Sequence, residues 1–214
     1  IEGADEAPAY RGVAYVVLED LDLAPFGNRI PQFNLEVMRR PEALDGVRHP
    51  ALDVQAVALV PGTGEYSLAT TQVHYGRGKG RSKVANVNND RGAPDFVVSL
   101  DQMRAELPQA RSVSLVVSWF GDDLRCSSCS IQPAVEQSEA DGRPMPWVVS
   151  GVGRSAAKHV SRIDDRPVFG GTPADISVVE AIRHMVGSGL SVMFYPFILM
   201  DVQAGNGLPD PWGG

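Results

Sequence analysis

The chain has 214 residues, a formal net charge of −7 and 43% hydrophobic residues. The hydrophobic share is that of an ordinary globular protein, and the acidic balance excludes a general nucleic-acid binder, which needs a basic patch. We therefore expect no direct sequence-specific binding of nucleic acid. We also expect no membrane span, because no apolar run is long enough to cross a bilayer.

The first part of the chain has the pattern of β-strands. Residues 11–40 are rich in β-branched and aromatic side chains around a turn, and residues 52–75 contain two more apolar runs around a PGTG turn. We therefore predict a β-rich portion over residues 1–75. Residues 76–95 carry few apolar side chains, and we interpret them as a linker whose basic residues Arg77, Lys79, Arg81 and Lys83 are solvated.

From residue 96 the pattern changes to alternating helices and strands. Helices are predicted over 99–107 and 173–186, and near-continuous apolar strands over 112–120 and 190–200. Thr172 is the expected N-cap of the second helix. Its expected buried face consists of four apolar residues, Ile176, Val179, Ile182 and Val186.

Two apolar strands, each preceded by a helix, predict a parallel sheet with helices outside it. A full eight-unit barrel needs about 250 residues, more than this part of the chain provides. We therefore predict a mixed fold, in which the β-rich portion is followed by the first α/β units of a TIM-barrel-like, glycoside hydrolase-like domain over residues 96–214. We also expect the chain to be a fragment of a longer protein.

Polar and aromatic side chains at the carboxyl ends of these strands are the candidate site residues. Asp122, Asp123 and Asp201 are weak candidates for catalytic carboxylates, because glycoside cleavage uses two carboxyl groups about 5–9.5 Å apart. Trp119 and Tyr195 are weak candidates for glycan binding. Adjacent aspartates in a loop diverge, however, and loop aspartates commonly cap turns.

Cys126 and Cys129 have the spacing of a metal knuckle or a redox pair. A structural zinc site needs four ligands, and the chain has no second cysteine pair. We favour a local disulfide or two idle thiols over a metal site, and we expect no cofactor.

Four stretches carry a resemblance to a known family. YRGVAYVVLEDLDLAPFGNRIPQFNLEV (10–37) resembles part of the tail-tip host-specificity proteins of siphophages. VSLVVSWFGDDLRCSSCSIQPAVE (113–136), GGTPADISVVEAIRHM (170–185) and VMFYPFILMDVQAGNGLPDPWGG (192–214) resemble the opening of the TIM-barrel-like domain in gene transfer agent baseplate proteins, the large multidomain "megatron" proteins.

The resemblance implies a virion structural protein in the tail baseplate of a phage-like particle that delivers DNA. It implies a homotrimer around the tail axis, other baseplate and tail proteins as partners, and contact with the host. The alternative hypothesis is a glycan-binding or glycan-cleaving domain acting on cell-surface polysaccharide or peptidoglycan. The resemblance assigns no catalytic residue to this chain, and we lean towards a protein that is not an enzyme.

Overall fold

The computed structural model describes residues 17, 50–62, 64–76, 82–202 and 206–207. The chain divides into two compact units, residues 1–48 and 49–214, and every described residue except Val17 belongs to the second. The strands predicted within residues 11–40 lie outside the described residues, as do Arg77, Lys79 and Arg81.

The described part of the chain contains two α-helices, α1 (Asp95–Glu106) and α2 (Asp175–Gly187). Two short 3-10 turns cover Pro50–Leu52 and Arg154–Ala156. The strands are β1 (Ala56–Leu59), β2 (His74–Gly76), β3 (Ser82–Val84), β4 (Ser112–Gly121), β5 (Ile131–Gln132), β6 (Ala134–Val135), β7 (Gly142–Arg143), β8 (Val148–Val149), β9 (Val152–Gly153), β10 (Lys158–His159), β11 (Arg162–Ile163), β12 (Arg166–Pro167) and β13 (Ser191–Met200).

The main sheet has the strand order β1-β4-β13, and both of these pairings are parallel. Ala56 lies opposite Ser112, and Ser191 lies opposite Ser112 on the other side of β4. The short strand β5 pairs antiparallel with the end of β4. The predicted strands 112–120 and 190–200 are therefore confirmed as parallel neighbours, and each follows one of the two helices.

One face of this sheet packs against both helices, and this contact forms the larger hydrophobic core. Alternate β4 side chains point into it because successive residues of a strand face opposite sides. The buried members of this core are Leu68, Phe96, Leu100, Val113, Leu115, Val117, Val178, Ala181, Met185 and Leu190.

The prediction of a TIM-barrel-like fold is wrong for the described residues. Their parallel sheet has three strands and stays open, and the other strands form four separate sheets of two- or three-residue strands. The sequence between β4 and α2 explains the failure. A barrel unit joins a strand to its helix by a loop of about 2–6 residues, whereas residues 122–174 fold here into several small sheets around a second core.

Both predicted helices exist, but both begin at other residues than predicted, and the buried side of the second differs from the prediction. Helix α1 begins at Asp95, and α2 begins at Asp175 without a side-chain cap. Thr172 is not the N-cap, because its Oγ1 accepts a hydrogen bond from the Ala134 N–H at 3.1 Å. Three of the four residues predicted for the buried face of α2, Ile176, Val179 and Val186, are exposed, and the fourth, Ile182, packs partly buried against the larger core. The buried residues of α2 are Ser177, Val178, Ala181 and Met185.

Among the described residues, strand β13 forms an edge of the main sheet, and its hydrogen bonds to the β4 side show which of its backbone groups face outward. The Ser191 N–H donates to the carbonyl of Arg111, the residue directly before β4, and the Asp201 N–H donates to the carbonyl of Gly121, the last residue of β4. Because the direction of the backbone N–H and C=O groups alternates along a strand, those of the odd-numbered residues of β13 point towards β4. Those of the even-numbered residues point away from β4. Pro196 is even-numbered, so the position without an N–H lies on that edge.

Candidate functional site

The loop after β4 holds the two adjacent aspartates that the sequence analysis singled out. Asp123 is buried, and its carboxylate accepts hydrogen bonds from the Arg125 side chain, the shortest at 2.6 Å, and from the Arg125 N–H at 2.9 Å. The Arg125 guanidinium lowers the pKa of Asp123 through these bonds. Asp122 accepts from the Ser130 N–H at 2.7 Å. Both carboxylates therefore hold the loop closed.

Asp201 lies at the same carboxyl end of the parallel strands, directly after β13. Its N–H donates to Gly121 O at 2.9 Å, which brings it beside the start of the aspartate loop. Its side chain is buried, and Oδ2 accepts from the Ser161 N–H at 3.0 Å. The structure thus brings the candidate carboxylates to the same end of the sheet, but each of them accepts a hydrogen bond from a backbone N–H of the fold.

A cavity of about 160 Å³ opens near this end of the sheet. It is lined by nine apolar or small residues, Val60, Pro61, Gly62, Ser118, Phe169, Gly170, Gly171, Pro173 and Leu199. None of these side chains carries a carboxyl group. The arrangement therefore lacks the facing carboxyl pair that glycoside cleavage requires.

The two aromatic candidates lie on opposite faces of the sheet. Trp119 lies opposite Ile198, shares the helix-facing side of β4, and is partly buried against both large cores. Tyr195 lies opposite Val116 on the other face, is 46% exposed, and contacts the ring of Phe197 at a centroid distance of 6.1 Å. The structure does not combine Trp119 and Tyr195 into one glycan-binding surface.

Cys126 and Cys129 lie on a single turn within the aspartate loop. The carbonyl of Arg125 accepts hydrogen bonds from the N–H groups of Ser128 at 2.9 Å and Cys129 at 3.0 Å. Both thiols are free; Cys126 is exposed and Cys129 is half-buried.

A buried charged cluster surrounds Arg154, which was not among the candidate site residues predicted from the sequence. Its guanidinium forms an ion pair with Glu65 at 3.1 Å, and both side chains are almost completely buried. Its Nε donates to Asp141 at 2.9 Å, and Nη1 donates to the carbonyl of Gln137 at 2.8 Å.

Aromatic rings enclose the same guanidinium. Its central carbon lies 6.0 Å from the Tyr66 ring centre and 5.8 Å from those of Tyr75 and Trp147, a distance at which a cation is attracted to the ring. The Tyr75 hydroxyl donates to Glu65 at 2.8 Å. Burial raises the pKa of both tyrosines, so their hydroxyls stay protonated donors.

The Arg154 cluster is a satisfied structural centre rather than an open site. Both Glu65 oxygens accept bonds from Arg154, and they also accept from Tyr75 and from the Glu136 N–H. Its location explains why sequence patterns missed it: Glu65 and Arg154 are far apart in the chain, and neither lies in a recognisable motif.

Glu136 borders this cluster and carries a perturbed carboxyl group. Burial and then the charge of Glu65 raise its pKa above the ordinary glutamate value. A raised pKa in the folded state means that stability is highest below the ordinary pKa and falls as the pH rises through the raised one. We therefore expect Glu136→Gln to stabilise the chain at pH 7, because the amide oxygen can still accept the bond from the Gly171 N–H.

Thermal melts at pH 7 and below about pH 4, under the ordinary glutamate pKa, test this expectation. The gain in melting temperature over the wild-type chain is expected at pH 7 and is expected to vanish in acid. Glu139→Gln, at an exposed glutamate, is the matched control and is expected to show no such pH-dependent gain. An unchanged or lower melting temperature for Glu136→Gln at pH 7 would contradict the assignment.

Comparison with known proteins assigns no class to this arrangement. No protein-family model matches the chain, and no curated protein matches its sequence. Among the described residues, neither helix is both long and apolar enough to cross a membrane.

Proposed function

We propose that the chain is a structural part of the tail baseplate of a phage-like particle, related to gene transfer agents, and that it serves host contact and DNA delivery. Its partners in this proposal are other baseplate and tail proteins and further copies of itself in a trimer. The resemblance of four stretches of the sequence to baseplate proteins suggests this role, and one structural observation supports an assembly function.

That observation is the exposed apolar surface of β13. Six of its ten side chains are large, apolar or aromatic and more than a third exposed: Met193, Phe194, Tyr195, Phe197, Ile198 and Met200. They lie on both faces of β13, and the described part of the chain leaves much of each face uncovered. Contiguous exposed apolar surface of this kind marks protein–protein contacts, and aromatic residues and methionine are enriched at interfaces.

The glycan-cleaving alternative has less support. Asp122, Asp123 and Asp201 each accept hydrogen bonds from the surrounding loop, and no carboxylate lines the cavity beside them. The exposed Tyr195–Phe197 pair is compatible with sugar contact, but it also belongs to the apolar surface of β13. We therefore assign this surface to a neighbouring protein subunit.

Substitution of this surface tests the proposal. The double variant Tyr195→Lys/Phe197→Lys is expected to keep the melting temperature of the chain but to enter tail particles about thirtyfold less, because loss of central aromatic contacts costs about 2 kcal/mol or more at an interface. The measurement is the amount of tagged full chain that sediments with purified particles from cells producing them.

Ile163→Lys is the matched control, since Ile163 is 66% exposed and belongs to the separate sheet of the β11–β12 hairpin. It is expected to enter particles at the wild-type level. Equal incorporation of the double variant would remove β13 as the contact surface. A wild-type chain that never sediments with tail proteins would refute the proposed role itself.

A further inference from the structure

Sulfur-containing side chains converge where β4 and β13 end. Gly121 is the last residue of β4, and the point where a Cβ would stand on it is 2.9 Å from Cys129 Sγ and 2.9 Å from Met200 Sδ. The two sulfur atoms are therefore no further apart than twice that distance. Any side chain at position 121 would occupy the space between them, so glycine is what permits this approach.

Cys126 supplies a third sulfur on the same turn. It precedes Cys129 by three residues, and the two hydrogen bonds to the carbonyl of Arg125 shape the intervening chain into one helical turn. Residues three apart on such a turn lie on the same side of it. Cys126 is exposed and Cys129 is half-buried, so the site is accessible to a small ion.

The aspartates of the loop fix the shape of this turn. Asp123 holds Arg125 through its backbone and its guanidinium, and Asp122 holds the N–H of Ser130 just after Cys129. The turn is thus fixed on both sides of the cysteine pair by hydrogen bonds that do not involve the thiols. A ligand site formed in advance loses less conformational entropy on binding.

The set of donors selects the kind of ion. Thiolate and thioether are soft ligands, which favour Cu(I), whereas a structural zinc site needs four ligands, drawn from Cys, His, Asp and Glu. Within the described ranges, no group of three or more His, Cys, Asp or Glu side chains has the arrangement of a metal site. Two cysteines and a methionine suit a low-coordinate soft ion better than tetrahedral zinc.

We propose that Cys126, Cys129 and Met200 bind one Cu(I) ion. On binding, the two thiols lose their protons to solvent, two S–Cu bonds form, and the thioether of Met200 adds a third contact. Copper remains Cu(I) throughout, so no oxidant or reductant takes part. The complex carries one net negative charge.

Competition for Cu(I) with the coloured chelator bicinchoninate tests the site on the reduced full chain. The wild-type chain is expected to remove one equivalent of Cu(I) from the chelator. Cys126→Ser and Cys129→Ser are each expected to abolish this transfer. Met200→Leu is expected to weaken binding about tenfold or more, at least as much as loss of a group that supports a metal ligand.

Met193→Leu is the control for the thioether, since Met193 is exposed on the same strand but distant from its end. It is expected to bind Cu(I) as the wild-type chain does. Failure of the wild-type chain to take Cu(I), or retention of the ion by the Cys126→Ser/Cys129→Ser double variant, would overturn the proposal. Equal affinities of Met200→Leu and Met193→Leu would overturn the part of Met200. The experiment uses isolated chain, so its outcome is independent of the proposed role in a baseplate.

Discussion

Replacing Arg154 by methionine is expected to lower the free energy of unfolding by about 3–5 kcal/mol, the usual cost of removing one partner of a buried ion pair. The substitution leaves the Glu65 carboxylate at 1% side-chain exposure without its cation. It also removes the donor to Asp141 and to the carbonyl of Gln137. Methionine fills part of the volume between the aromatic rings, so the measured loss reports mainly on charge and hydrogen bonds.

Urea denaturation of the full chain provides the measurement. Arg162→Met is the matched control, because Arg162 pairs with an almost fully exposed Asp165, and such surface pairs contribute about 0–1 kcal/mol. The double variant Arg154→Met/Glu65→Gln is expected to lose less free energy of unfolding than the sum of the losses of the two single variants, because it leaves neither member of the ion pair unpaired. A loss of less than about 1 kcal/mol for Arg154→Met would show that the cluster does not support the fold.

Replacing Trp147 by alanine is expected to cost about 3–5 kcal/mol, as for other fully buried large aromatic residues. Trp147 is completely buried in the second core, where its Nε1–H donates to the carbonyl of Thr172 at 2.8 Å. Its backbone N–H donates to Asp141, which also accepts from Arg154. The alanine variant therefore opens a cavity beside the charged cluster and leaves a buried carbonyl without its partner.

Phe197→Ala is the control for this variant. Phe197 is an aromatic residue of the same sheet-rich unit but is 38% exposed, and truncation of an exposed side chain changes stability by about 0.5 kcal/mol or less. Thermal and urea denaturation of both variants give the comparison. Similar losses for the two would mean that the second core contributes little to the stability of the described unit.

The parts of the fold that could be predicted are those encoded by neighbouring residues. Strands β4 and β13 are apolar along most of their length, so a near-continuous apolar run identifies them and makes a parallel pairing the natural expectation. The two helices follow from their apolar spacing. The predicted start of α2 is wrong because Thr172 resembles a cap in sequence but bonds to Ala134, and the predicted start of α1 at residue 99 lies inside that helix.

The parts that could not be predicted depend on contacts between distant residues. Strand β1 is only four residues long, and nothing in Ala56–Leu59 specifies β4 as its partner. Glu65 and Arg154 become a buried pair only when both loops have folded. The barrel was inferred by extending two strand–helix units to a repeating pattern, and the many two-residue strands between β4 and α2 do not follow that pattern. The aspartates were recognised as loop residues, but their bonds to Arg125 and Ser130 depend on the turn.

Pro196 limits the backbone hydrogen bonds that the outer side of β13 can form with another strand. The outward-facing positions that offer an N–H are Val192 and Phe194 before the proline and Ile198 and Met200 after it. A row interrupted at its centre cannot template the unbroken ladder through which identical chains stack into amyloid fibrils. The residue therefore lets an apolar strand remain at the surface while opposing self-propagating aggregation, as prolines on other sheet edges do.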